Sequence, residues 1–272
     1  DVDAVGLIAA DANIPLILDA TFNTPYLFKP LEHGASIVIH SLTKWIGGHG
    51  IAVGGAILDG GRFDWGASDK FPTIAKPHYS MDAINFYEEF GPTAMTAKLR
   101  SEMMYNFGPC LSPTNAFHLL QGIETLPLRM QRHIENTDAL LEYLNSHDDV
   151  AWVRHPHLKS HPQHLMAKKL MPKGAGSIIT FGVKGGRDAG QAFIEAVELS
   201  SHLANVGDAK TLLIHPASTT HSHIDPEAMK EGGLSDDMIR LSVGLEDIDD
   251  IKADFEVGFK AAKKQLARNA AE

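Results

Sequence analysis

Apolar residues along this chain fall into two patterns. Short, almost unbroken runs occupy residues 15–21, 36–42 and 54–58, as expected of strands buried on both faces beneath covering helices. Residues 4–12 carry a helical period and lead straight into the first run, so the opening stretch reads helix, strand, strand, strand. From 61 to 108 the period fades and aromatic, proline and acidic residues mix, as in Phe71-Pro72-Thr73 and Tyr87-Glu88-Glu89-Phe90. An irregular excursion with short helices is predicted there.

Ser112-Pro113 then offers a helix start. Apolar residues recur at Phe117, Leu120 and Ile123 and, past an irregularity at Pro127, at Met130, Ile134, Leu141 and Leu144. This predicts a long helix pair linking two domains. Strands are expected at 150–153, 177–183, 211–214 and 238–243, with a helix over 189–199, a mixture that points to a smaller α+β domain. The closing helix begins with Glu246, Asp247, Asp249 and Asp250 and ends with Lys260, Lys263, Lys264 and Arg268. Those charges suit the two ends of the helix dipole, and Ile248, Ile251, Phe255 and Phe259 form its apolar face.

The 272 residues are 44% hydrophobic, enough for a sizeable core, and Lys+Arg 24 against Asp+Glu 34 gives a net charge of −10. A general nucleic-acid or anionic-membrane binder is therefore disfavoured. No apolar run approaches the ~20 residues of a membrane-spanning helix. The lone Cys110 cannot form an intrachain disulfide and lacks an activating neighbour, so a buried packing role and a cytoplasmic location are expected. No signal peptide is read in Asp1-Val2-Asp3, and the chain reads as starting inside a fold.

The sharpest chemical feature is Ser41-Leu42-Thr43-Lys44-Trp45-Ile46-Gly47-Gly48-His49-Gly50, directly after a predicted strand. Open α/β sheets place their ligands at such strand ends, although a surface lysine before a glycine turn fits equally well. Asp19 ends the preceding strand in the same way. A lysine able to form a Schiff base, with a carboxylate to hold a protonated pyridine nitrogen, is what pyridoxal phosphate (PLP) asks of a protein. Ser41 and Thr43 could hydrogen-bond the phosphate, while Asp19 could instead cap a turn near Thr21.

Other chemistries fit less well. Ser41-x-x-Lys44 matches the S-x-x-K of serine acyl hydrolases, but neither S-D-N nor K-T-G occurs. The glycines match neither a dinucleotide nor a P-loop pattern. Two histidine groups, His155, His157, His161 and His164 and then His215, His221 and His223, come without H-E-x-x-H or a cysteine pair, so no metal site is expected. Arg240 lies in an otherwise apolar strand, where an unpaired charge would be costly. A structural salt bridge and a substrate carboxylate are equally good partners for it. Asn205-Val206-Gly207-Asp208 and the polar run from Pro216 to His221 could converge on the same ligand.

Asp19-Ala20-Thr21-Phe22-Asn23-Thr24-Pro25-Tyr26-Leu27, the Ser41 to Lys44 loop with Gly47-Gly48-His49, His215 to His221, and Arg240-Leu241-Ser242-Val243-Gly244-Leu245-Glu246 resemble, in order and along the whole chain, the PLP-dependent enzymes of cysteine and methionine metabolism. The insertion between Lys44 and Cys110, with Gly174 to Ser177 and Leu203 to Asp208, is most similar to the branch that acts on O-acetylhomoserine.

The resemblance implies a PLP-dependent transferase of fold type I. Residues 1–125 would be the C-terminal portion of the large α/β domain, with a helix-covered, mostly parallel sheet, and 126–272 the small α+β domain. It implies that Lys44 holds PLP, Asp19 pairs with the pyridine nitrogen, Ser41 and Thr43 bind the phosphate, and Arg240 with Asn205 grips the substrate carboxylate. The implied reaction converts O-acetylhomoserine and sulfide to homocysteine and acetate in a cytoplasmic homotetramer. Cystathionine γ-synthase or methionine γ-lyase activity is the neighbouring alternative, and a non-catalytic family member that packs with another subunit is the alternative of a different class. The resemblance also puts a phosphate-cradling glycine turn, a ring-stacking aromatic and residues reaching a neighbouring site upstream of Asp1.

Overall fold

The computed structural model describes residues 1–79 and 81–271. Two compact units emerge, one of Asp1–Leu42 with Val53–Leu119, the other of Thr43–Ala52 with Leu120–Glu272. A boundary therefore falls between Leu42 and Thr43, inside the Ser41 to Lys44 motif.

In the first unit, helix α1 (Val2–Asp11) starts where the Asp1 carboxylate accepts the Ala4 N–H at 3.1 Å. Strands β1 (Ile17–Asp19), β2 (Ile37–Ser41) and β3 (Gly55–Asp59) form one sheet in that order. The β1–β2 pair is parallel and the β2–β3 pair antiparallel, so the sheet is mixed rather than mostly parallel among the described residues. The cause is the β2 to β3 connection, which carries the Lys44 turn and no crossover helix. An antiparallel partner needs none.

Burial also departs from expectation. Central β2 buries Ile37, Val38 and His40, but Ile17 on β1 is 52% exposed and Ile57 on β3 is 55% exposed. These strands are not buried on both faces within the unit. Helix α1 buries only Gly6 and Ala9 and leaves Val5, Leu7 and Ile8 exposed, so its apolar side does not cover the sheet. Residues 61–108 do form short helices, including Pro72–Ala75, Phe86–Phe90 and Ala94–Lys98. They surround a small core of Trp65, Ile74, Phe86 and Ala94, with Phe63 and Phe71 edge-on to Trp65 at 4.8 and 5.2 Å. Cys110, expected to be buried, is exposed; it follows a run of exposed side chains, Met103, Met104, Tyr105 and Phe107, so its surroundings among the described residues are themselves unburied.

The predicted helix pair is present as α2 (Pro113–Glu124) and α3 (Leu126–Ser146), separated at Thr125, with Pro127 in the first turn of α3. Proline is tolerated there because the first N–H groups have no intrahelical acceptor. The α3 stripe is buried as expected at Met130, Ile134, Leu141 and Leu144, whereas Phe117, Leu120 and Ile123 of α2 are exposed. In the second unit β4 (Val150–Arg154), β5 (Ile178–Val183), β6 (Ser201–His202), β7 (Leu212–Ile214) and β8 (Met238–Ser242) form a sheet ordered β4-β5-β8-β7-β6. Only the short edge strand β6 was not foreseen. Helices α4 (Gly186–Ala196) and α5 (Ile248–Asn269) join α3 around the core.

Alternation along β8 decides what faces that core, because successive strand side chains point to opposite faces. Ile239, Leu241 and Val243 pack into it against Phe181, Phe193, Phe255 and Phe259. Met238, Arg240 and Ser242 take the other face. The α3 helix latches onto the end of β8: Asn136 Nδ2 donates to the carbonyls of Gly244 and Glu246 at 3.0 and 2.9 Å, and the His133 ring meets the Val243 carbonyl at 2.7 Å. Among the described residues no helix is long and apolar enough to cross a membrane.

Candidate active site

The second unit brings together three residues singled out in the sequence. Lys44 lies in the turn Leu42–Ile46, where its own backbone is not helical (φ −87°, ψ −136°). Its ammonium donates to Asn205 Oδ1. Arg240, half-buried on the face of β8 opposite the core, donates through Nη2 to the Asn205 carbonyl at 3.4 Å, and burial lowers its pKa. An amine and a guanidinium thus share one uncharged residue. Neither meets a carboxylate among the described residues, so the salt bridge considered for Arg240 is not formed.

Several contacts fix the Lys44 turn. The Gly48 N–H donates to the Lys44 carbonyl at 2.7 Å, and Trp45, fully buried, donates its indole N–H to Ser177 Oγ at 2.9 Å. Gly207, with φ +76°, lets the chain after Asn205 lie against Trp45; a Cβ there would sit 2.6 Å from the Trp45 nitrogen. Its N–H donates to Ser242 Oγ at 3.0 Å, two residues along β8 from Arg240. Asn205 is therefore anchored from both sides.

In the first unit Asp19 and Ser41 sit at the carboxyl ends of parallel neighbours, since Asp19 lies opposite Ile39. Thr21 bridges them. Its N–H donates to Asp19 Oδ1 at 2.9 Å and its Oγ1 accepts the Ser41 N–H at 2.8 Å. The first of these is the turn cap weighed for Asp19, so this carboxylate, exposed in the described chain, already uses one oxygen locally. It also faces a buried histidine, His40, whose pKa is lowered by burial and raised in part by the Ala20 backbone and the Asp19 charge.

Other predicted groups go elsewhere. Ser218 Oγ and the His215 ring meet at 2.8 Å, and Thr219 Oγ1 donates to the His215 carbonyl at 2.8 Å, so this polar run satisfies itself. His157 pairs with Asp138 at 2.6 Å, and His155 is buried with a pKa near 4. Among the described residues no group of three or more His, Cys, Asp or Glu could hold a metal ion. A cavity of about 900 Å³ in the first unit, lined by His78, Tyr79, Phe86, Arg100 and Glu102, contains none of the predicted residues.

Sequence reasoning missed Arg129. Its buried guanidinium donates to the carbonyls of Trp45, Ile46 and Gly122. A signal was available: Leu126, Arg129, Met130 and His133 share one face of α3 at spacings of three and four, and that face is buried.

A lysine and a half-buried arginine that share one asparagine offer an amine and a carboxylate-binding guanidinium side by side, which suits a PLP-dependent enzyme. The Cys/Met metabolism PLP-dependent enzyme family matches residues 1–260, and the chain belongs to it. It is 46% identical over 264 residues to a homocysteine synthase of Schizosaccharomyces pombe, covering 96% of this chain and 62% of that one. It is 44% identical over 269 residues to an O-acetyl-L-homoserine sulfhydrylase of Leptospira meyeri, covering 96% of this chain and 61% of that one. An O-acetylhomoserine (thiol)-lyase of Campylobacter jejuni, solved with N'-pyridoxyl-lysine-5'-monophosphate, superposes with a TM-score of 0.90 at 33% identity over 96% of this chain and 62% of that one. The α/β architecture is thus that of the fold type I enzymes. The chain spans about three fifths of the length of these relatives.

Proposed function

We propose that this chain carries the cofactor lysine and substrate-carboxylate site of a PLP-dependent enzyme that converts O-acetyl-L-homoserine and sulfide to L-homocysteine and acetate. The observation that carries the reading is the shared Asn205, which holds the Lys44 amine and the Arg240 guanidinium without a competing carboxylate among the described residues. The donor set fits PLP and an amino-acid substrate: a primary amine for the aldehyde and a half-buried guanidinium, whose fork suits a carboxylate.

When bound, PLP supplies an electron sink conjugated to the substrate's nitrogen. Arg240, with Asn205, holds the α-carboxylate. Asp19 would pair with the pyridine nitrogen, and Ser41 and Thr43 would hold the phosphate. Lys44 would take the proton at Cα; a proton also leaves Cβ as acetate departs from Cγ, sulfide adds at Cγ, and protons return to Cβ and Cα. That work requires the amine to be neutral when it takes the proton. A cytoplasmic homotetramer completes the proposal, supported by the free cysteine and by the apolar side chains left exposed on the first unit.

Titration of the purified chain with PLP, followed by borohydride reduction and peptide mapping, tests the reading. A yellow band and an adduct confined to Lys44, absent in Lys44→Ala, are expected; an adduct spread over surface lysines sinks it. Supplying sulfide, cysteine or methionine then separates sulfhydrylase from cystathionine γ-synthase and methionine γ-lyase activity. The exposed apolar residues of α1 and β3 favour a second reading, a non-catalytic subunit that packs against another polypeptide. That reading predicts no adduct at Lys44 while the fold persists.

A further inference from the structure

We propose that Arg129 is a positioning residue for Lys44, clamping the backbone that follows the lysine; this rests on the reading of Lys44 as the cofactor lysine. Arg129 is 6% exposed. Its Nε donates to Thr125 Oγ1 at 3.1 Å, Nη1 to the Trp45 carbonyl at 2.6 Å, and Nη2 to the carbonyls of Ile46 at 3.0 Å and Gly122 at 2.6 Å. Every acceptor is neutral.

A buried cation satisfied only by carbonyls and a hydroxyl is a costly way to fill space, and an apolar side chain of similar volume would be cheaper. What an apolar residue cannot do is hold two successive peptide planes at once. The planar fork does so at Trp45 and Ile46, immediately after the residue whose backbone leaves the helical region. The loop in turn is shaped to admit the fork: Gly48 has φ +69°, and a Cβ on it would lie 2.1 Å from Nη1. With Trp45 held on its other side by Ser177 and Gly207, the clamp fixes the direction from which the Lys44 side chain reaches Asn205. Its neighbour one turn on, His133, is buried, and burial with the Arg129 charge beside it keeps that ring neutral.

Lysine cannot reproduce the fork, which makes Arg129→Lys the informative variant, with Thr125→Val as a milder one that strips a single acceptor and keeps the three carbonyl bonds. Three readouts are compared in the full chain: amide hydrogen exchange over residues 45–48, the PLP dissociation constant, and the pH midpoint of the yellow band. For Arg129→Lys, exchange over 45–48 accelerates and PLP binds more weakly by on the order of 10- to 100-fold, the scale of loss when a reactive group is misplaced by about an ångström. The band's midpoint shifts as well. Thr125→Val moves the same readouts in the same direction by less, and it carries the test if Arg129→Lys does not fold. Unchanged PLP affinity and midpoint in a folded variant, with only a lower melting temperature, overturn the proposal and leave Arg129 a stability residue. Failure of the underlying reading shows separately, in the wild type, as borohydride adducts away from Lys44.

Discussion

The two units treat the same kind of residue in opposite ways. Ile239 and Leu241 on β8 are fully buried, while Ile57 on β3, in an equally apolar strand, is 55% exposed. The difference is cover. In the second unit α3, α4 and α5 lay their apolar stripes on β5 and β8; in the first, α1 buries only Gly6 and Ala9, and the cores are small separate clusters. An apolar strand states the surroundings it requires, not whether its own unit supplies them. The chemistry divides along the same line. Lys44, Asn205 and Arg240 are held by packed neighbours in the second unit, whereas Asp19 ends an edge strand of the first and serves a local turn.

If cover is what differs, the largest effect comes from opening the sealed core. Phe255 is fully buried, stacked against Phe181 at 6.2 Å and edge-on to Phe193 at 5.6 Å. Phe255→Ala removes both ring contacts and leaves a cavity, at a cost of about 3–5 kcal/mol. Urea unfolding followed by tryptophan fluorescence measures it. A loss below about 1 kcal/mol, the range of surface substitutions and mild repacking, would mean that this core is no tighter than the first unit's and the contrast collapses.

Much of this was legible in the sequence. The period of α5 named its buried face, Ile251, Phe255 and Phe259, and its flanking charges named its ends, because both are local properties of a helix. Lys44 and Arg240 stood out because a charge inside or just after an apolar run needs a partner. What the sequence did not carry was anything set by distant packing. The spacing of Arg129 with Leu126, Met130 and His133 could mark it as facing inward, but not its partners, since its three carbonyl acceptors lie seven to 84 positions away. The exposure of Cys110, Phe117 and Ile57 was equally invisible, as apolar character marks a preference for burial and not its fulfilment.

Acid sharpens the comparison in an unexpected direction, since the better-packed unit holds the more perturbed histidines. Burial pushes the pKa of His133 down to about 4, with the Arg129 charge adding to the effect and the Val243 carbonyl opposing it; His155 is also lowered to about 4 by burial. Both stay neutral when folded while the unfolded chain takes up protons near pH 6.5. Between pH 6.5 and 4 the unfolded state therefore binds more protons, and stability falls as pH falls. Below 4 these groups add no further loss. The contribution is on the order of 3 kcal/mol for His133, and His133→Gln should flatten the dependence of the urea midpoint on pH across that window. An unchanged slope would show that these histidines titrate normally and that the second unit is open to water.

The smallest expected effect tests the exposed side of the comparison. Ile57 lies on edge strand β3 with more than half its surface in solvent, so little burial is lost on replacing it, and threonine keeps the β-branch that suits a strand. Ile57→Thr should change stability by less than about 0.5 kcal/mol. It should also lower self-association, because an exposed apolar edge is a template for another chain. Urea unfolding at two protein concentrations, with sedimentation velocity alongside, distinguishes the outcomes. A large loss confined to the higher concentration would mean that a second copy covers β3 in solution. The cover missing from the first unit would then come from assembly, and the two units would differ in where their cores are completed rather than in whether they are.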